Sequence, residues 1–220
     1  LAGDGKHDAA VVEEAAGRII PELTAAAEKL TIDESGIVAL DWMNGRRTPD
    51  ANQLLKGAIS GLNLGSSAPA IFRALVEATA FGSKKIVERF ESEGVPIKEV
   101  IALGGVAKKS PFVMQVLADV LNRNISVASS EQTCALGAAM AGAVVAGSQA
   151  GGYDNFEQAS EAMTAVREDT YVPSPEHHKV YGRLFKLYRR LHDIYGTRDC
   201  NDNLYDLMKE VLAIRDEVRG

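Results

Sequence analysis

Between Leu103 and Pro111 the sequence runs Gly104-Gly105-Val106-Ala107-Lys108-Lys109-Ser110, and these residue types are the ones best suited to chemistry. Glycine has no Cβ, so a backbone with two of them lets a phosphate or a nucleoside approach closely. A helix starting just beyond adds free N–H groups and the positive end of its dipole. A plain strand-to-helix turn, using glycine only for its φ angles, fits the same pattern. No Gly-Lys-Ser/Thr triplet closes the loop, which excludes the Walker spacing, and the third glycine of a dinucleotide fingerprint is missing. Lys108 and Lys109 could attract a polyphosphate, but two adjacent loop lysines are expected to be merely solvated.

Other candidate groups point to no chemistry. His178 and His192 share a helix face but lie about four turns apart, too far to hold one ion. Cys134 opens an Ala/Gly-rich helix and is expected to be a small buried hydrophobe. With Cys200 it is one of two cysteines, too few for a zinc quartet. No Ser-His-Asp set, HExxH or paired-carboxylate motif stands out, so neither a catalytic residue nor a metal ligand is assigned.

The glycine loop needs a strand before it and a helix after it. Glu99-Val100-Ile101-Ala102-Leu103 reads as a buried strand, and Ser110 as the N-cap of a helix with Pro111 in its first position. Val113, Val116, Leu117, Val120 and Leu121 form that helix's apolar stripe. Ile125-Ser126-Val127-Ala128 is the next strand, and Cys134 begins a closely packed helix. Strand, helix, strand, helix at this spacing implies an α/β sheet with crossover helices.

Upstream, residues 8–30 read as helix, with Pro21 a kink or restart point. Gly36-Ile37-Val38-Ala39-Leu40 and Gly57-Ala58-Ile59-Ser60-Gly61-Leu62-Asn63-Leu64 read as strands. Between them lies an irregular segment holding Asn44-Gly45 and the only tryptophan, Trp42. Ser67 caps a helix running to about Glu93, with Phe72, Leu75, Val76, Thr79, Ile86, Val87 and Phe90 at the helical period. From Asn155 onward the pattern is all helical. Val180, Leu184, Leu187, Leu191 and Ile194 form a stripe that must dock, within the chain or on a second subunit. The first is favoured; a homodimer is the alternative.

The 220 residues are 46% hydrophobic and 25% charged, with a formal net charge of −6. Such a chain buries enough apolar surface to fold, which excludes bulk disorder. An acidic balance argues against nucleic acid as a partner, and no apolar run approaches the ~20 residues of a membrane span. Two cysteines and no visible leader suit the cytoplasm.

Several segments, in order, resemble the C-terminal half of the FGGY carbohydrate kinase family, in its ribulokinase branch. They are Ala39-Leu40-Asp41-Trp42-Met43-Asn44-Gly45-Arg46-Arg47-Thr48-Pro49, Leu62-Asn63-Leu64, Ala78-Thr79-Ala80-Phe81-Gly82, Ala102-Leu103-Gly104-Gly105-Val106-Ala107-Lys108-Lys109 and Cys134-Ala135-Leu136-Gly137-Ala138-Ala139. The resemblance spans roughly residues 20–196; residues 198–220 extend past where relatives usually diverge or end, and nothing is carried over for them. It implies an actin-like ATPase (RNase H-like) domain over 1–172, with a mixed sheet and a C-terminal helical extension, 173–220, packed on it. It implies ATP bound through Gly104 and Gly105, with Ser110 where relatives often carry Asn; backbone contact at the glycines is the firmer expectation. The implied reaction moves the ATP γ-phosphoryl group, with Mg²⁺, to the 5-hydroxyl of L-ribulose or a related ketopentose. The general base and the sugar pocket would lie in an N-terminal domain, so this chain alone is expected to be inactive. Alternatives are a family kinase for another ketopentose or a polyol, and a non-catalytic nucleotide-binding module.

Overall fold

The structure, a computed structural model, describes residues 9–220. In chain order the elements are α1 (Ala9–Glu28), β1 (Val38–Leu40), β2 (Ala58–Ser60), α2 (Ala68–Ser92), β3 (Val100–Ala102), α3 (Gly105–Lys109), α4 (Pro111–Leu121), β4 (Ile125–Ala128), α5 (Thr133–Ala146), α6 (Phe156–Met163), β5 (Val166–Tyr171), α7 (Pro175–Gly196) and α8 (Leu207–Arg219). They fall into two compact units. One holds the described residues up to Arg89 together with Glu176–Gly220; the other is Phe90–Pro175.

In the first unit, α1 runs unbroken through Pro21, so the helix needs no restart there. β1 and β2 pair antiparallel, Ala39 opposite Ile59, and every β1 side chain is buried. The long connection between them is closed by a bridge of Arg46 with Asn52. Ser67 caps α2, its Oγ accepting from the Ala70 N–H at 3.4 Å.

The buried face of α2 is not the aliphatic stripe the periodicity suggests. Ala70, Arg73, Ala74, Glu77, Ala78, Ala80 and Phe81 point inward, whereas Thr79 and Phe90 are exposed. The physical reason is a partner made of aromatic rings. Phe81 meets Tyr181, Phe185 and Tyr188 of α7 with ring centroids 5.4–6.1 Å apart. Arg73 Nε donates to Glu77 Oε1 at 2.9 Å, its Nη1 donates to the carbonyls of Ala27 and Leu30, and Nη2 to the Tyr181 hydroxyl. Tyr181 in turn donates to Glu77. The two charges thus neutralise each other inside the core, with their remaining donors satisfied.

On α7, Leu184, Leu187 and Leu191 of the expected stripe are buried; Val180 and Ile194 are half-buried. The buried face is wider than the stripe, because Tyr181, Phe185, Tyr188 and His192 share it. On α8, Leu207, Val211 and Ile214 are buried, while Met208 is exposed.

The second unit is a three-stranded mixed sheet in the order β3-β4-β5. β3 and β4 are parallel, Ile101 opposite Ser126, joined by a crossover through α3 and α4. Its core gathers Ala107, Met114 and Val127, with Ala102, Val113, Leu117 and Tyr171 against it. β5, antiparallel to β4, interrupts the stretch expected to be all helix. Its sequence, Val-Arg-Glu-Asp-Thr-Tyr, is too polar to carry an apolar alternation, so pairing rather than hydrophobic pattern defines the strand.

Two expectations fail in this unit. β3 is not buried: Ile101 is 48% exposed and Leu103 just beyond it 60%. As an edge strand with cover on the Ala102 side alone, it leaves the alternate side chains open. Likewise α5 has no buried residue, and Cys134 is exposed. An apolar Ala/Gly composition permits close packing, but α6 and the turn after α5 cover this helix only in part, leaving Leu136, Met140, Ala143 and Val144 half-buried.

Candidate functional site

The strand-to-helix turn after β3 is built as its residues require. Gly104 sits at φ 91° and ψ −177°, a conformation essentially restricted to glycine. It turns the chain out of the sheet and directly into α3, so the expected short polar loop is a single helical turn. Ala107, on the inward side of that turn, is buried in the core with Met114 and Val127 and anchors it.

Ser110 ends α3 and begins α4. Its N–H donates to the Val106 carbonyl at 3.0 Å, and its Oγ accepts from the Val113 N–H at 3.4 Å, with Pro111 next in line. The capping expectation holds. The hydroxyl oxygen thus already serves a helix end, and the residue is half-buried. Gly104 and Ser110 therefore flank one five-residue helix, of which Gly105 is the first residue.

Gly105 differs from Gly104 in what it needs. Its φ lies outside the left-handed region, and a Cβ built on it would meet no atom within 4 Å. Neither backbone strain nor a protein neighbour explains the missing side chain; it leaves an open approach to the backbone. On either side, Leu103 and Val106 are both about three-fifths exposed, giving the glycine pair an apolar rim. Sequence reasoning overlooked that rim because the strand reads as buried.

Lys108 is not merely solvated. Its Nζ donates to the Ser129 carbonyl at 3.1 Å and ties α3 to the end of β4, whereas Lys109 is exposed. His178 and His192 are not brought together: His192 is buried against Trp42 and Tyr188, near the opposite end of α7. Among the described residues no group of three or more His, Cys, Asp or Glu side chains could hold a metal ion. Nor is any helix among them long and apolar enough to cross a membrane.

Comparison with known proteins places the chain in a family. The profile described as the FGGY family of carbohydrate kinases, C-terminal domain, matches residues 6–146. The chain belongs to the FGGY family. Among curated relatives, a ribulokinase of Vibrio parahaemolyticus is 50% identical over 183 residues, 83% of this chain and 32% of that protein. A ribulokinase of Halalkalibacterium halodurans is 45% identical over 193 residues, covering 88% of this chain and 33% of its own length. The chain thus spans about a third of the length of the curated relatives it matches. Among solved structures, a xylulose kinase from Rhodospirillum rubrum superposes with a TM-score of 0.69 at 25% identity, over 83% of this chain and 35% of that one. A xylulose kinase from Brucella ovis gives 0.67 at 23% identity over 84% of this chain and 38% of its own. The α/β, actin-like architecture of the FGGY kinases is therefore that of this chain.

Proposed function

We propose that this chain is the ATP-binding part of a ribulokinase, with adenosine held at Gly104-Gly105. The observation that carries the reading is Gly105: open, exposed and unstrained, it has no structural reason to lack a side chain. Leu103 and Val106 offer apolar surface of the kind a purine ring seeks, which favours a nucleoside over a bare polyphosphate. Ser110, engaged in capping, supports the turn more than it reaches a ligand.

The similarity to ribulokinases at 45–50% identity over more than four-fifths of the chain supports transfer of the ATP γ-phosphoryl group to the 5-hydroxyl of L-ribulose. Such transfer is mostly positioning and charge neutralisation. In this division of labour the chain binds and orients the nucleotide, and the remainder of the longer enzyme supplies the general base and the sugar pocket. Mg²⁺ would assist at the phosphates, but the glycine turn presents no carboxylate to hold it, so no step of this chain runs through the metal.

The test is Gly105→Val. With no protein atom within 4 Å of the new side chain, the fold should be retained. ATP affinity, measured by calorimetric titration, should fall by tenfold or more as the branched side chain blocks the approach. Unchanged affinity in a folded variant would show that the turn is only a turn.

A further inference from the structure

Arg46 is a buried cation whose partners are all neutral. It is 9% exposed; its Nε donates to the Asp50 carbonyl at 2.6 Å and its Nη1 to the Gly196 carbonyl at 3.1 Å. The guanidinium carbon lies 5.5 Å from the centroid of the Trp42 ring. Among the described residues, no carboxylate stands within ion-pair distance of it. A Cβ on Gly196 would meet Nη1, so the guanidinium in this position relies on the bare backbone there. The charge is therefore fixed in place yet uncompensated, whereas buried charges are ordinarily paired.

That charge lines a cleft of about 170 Å³ made wholly of residues of the first unit. Its volume exceeds the roughly 10–15 Å³ that one water needs by an order of magnitude. Arg47 from the same loop and Lys85 from α2 line it too, and Asp41 is the single carboxylate in its wall. Asp193 stands beside two lining residues, accepting from His192 Nδ1 at 2.8 Å and 3.9 Å from Lys85 Nζ. Tyr188 accepts a hydrogen bond from the Trp42 indole and so keeps its own hydroxyl proton for another acceptor. Burial first, and then Lys85 and Arg46, hold the His192 imidazole below its ordinary pKa, against the pull of Asp193. The field in the cleft is positive.

We infer that this cleft binds a phosphate dianion, free or as a monoester, with Arg46 as the fixed charge and Arg47 and Lys85 as mobile donors. The three lining cations outnumber the two carboxylates at the cleft, Asp41 and Asp193, which favours an anion. Guanidinium and ammonium donors suit the three oxygens of a phosphate. The inference does not rest on the nucleotide reading, because the glycine turn belongs to the other unit.

Trp42, the only tryptophan, touches Arg46 and His192 and reports directly on the cleft. The full chain is titrated with inorganic phosphate at constant ionic strength, chloride serving as the exchange ion, while tryptophan fluorescence is followed. A saturable change is expected, together with a rise in the His192 pKa by NMR when phosphate is present. The Arg47→Ala/Lys85→Ala variant should bind at least tenfold more weakly, and Arg47→Ala alone, at an exposed position, about threefold more weakly. A second titration with ribose 5-phosphate separates the sources: tighter binding than inorganic phosphate assigns an ester, equal or weaker binding the free ion. A linear change reproduced by chloride, or wild-type affinity in either variant, would overturn the site.

Discussion

Asp33 shows how one residue can make the whole molecule sensitive to pH. It is 2% exposed, at φ 58° in the turn before β1, and neither carboxyl oxygen has a hydrogen-bond partner. Burial, followed by repulsion from Glu77, pushes its pKa up to about 8, against the opposing pull of Arg215, Arg183 and Arg219. An acid whose folded-state pKa lies above its unfolded value holds its proton longer in the native state. Its contribution is complete below about pH 3.9 and is lost as pH rises through about 8. The slope is at most about 1.4 kcal/mol per pH unit. Asp33→Asn keeps the shape, tolerates the left-handed backbone and cannot ionise. Relative to the parent, this variant should match stability near pH 4 and exceed it increasingly towards pH 9 in denaturant titrations. A difference that does not change with pH would show that the carboxyl titrates normally. Nothing in the local sequence, Thr31-Ile32-Asp33-Glu34-Ser35-Gly36, distinguishes this aspartate from a solvated turn residue, because its burial comes from distant segments of the chain.

At the scale of elements, the contact between α2 and α7 carries the first unit. Leu187, 2% exposed, lies at the centre of the α7 face, so Leu187→Asp puts a charge where desolvation is not repaid. A loss of several kcal/mol is expected from thermal unfolding; an unchanged melting temperature would refute the docking. The Arg73–Glu77 pair makes a sharper case. Glu77→Ala strands a buried guanidinium and should cost about 3–5 kcal/mol. The double variant Arg73→Met/Glu77→Leu removes both charges together and should recover much of that loss. A double variant destabilised as much as Glu77→Ala, or more, would mean that the two side chains do not act as a unit. These elements also show what the sequence makes legible. The α7 stripe and the Ser110-Pro111 start of α4 could be read because one period or one cap decides them. The inward face of α2 could not, since alanines and an ion pair make a core only once the aromatic face of α7 lies opposite. β5 was hidden for a related reason: its pairing with β4 is non-local and its residues are polar. At the candidate site, the glycines and the cap were visible, whereas the apolar rim and the tether of Lys108 to Ser129 depend on how far the sheet extends and where β4 ends.

For the molecule as a whole, the distribution of apolar surface in the second unit governs behaviour in solution. From Thr133 to Ala146, α5 carries no charged residue, yet none of its side chains is buried, and Val145 is 88% exposed. Ile101, Leu103 and Val166, on and beside the sheet of the same unit, are each about half exposed or more. Soluble monomers rarely expose contiguous apolar patches beyond a few hundred Å², and each Å² kept wet forgoes about 25 cal/mol of burial. The 220-residue chain should therefore bind the dye ANS in its folded state and self-associate with rising concentration. Val145→Lys tests whether α5 contributes. Because the side chain already faces water, its replacement should leave folding stability within about 0.5 kcal/mol. Dye fluorescence and the concentration dependence of the sedimentation coefficient should both fall. If Val145→Lys instead unfolded the protein at markedly lower temperature, the helix would be a core element and the exposed-surface argument would fail. Stability retained with dye binding unchanged would also tell against the patch, placing the adhesive surface away from α5.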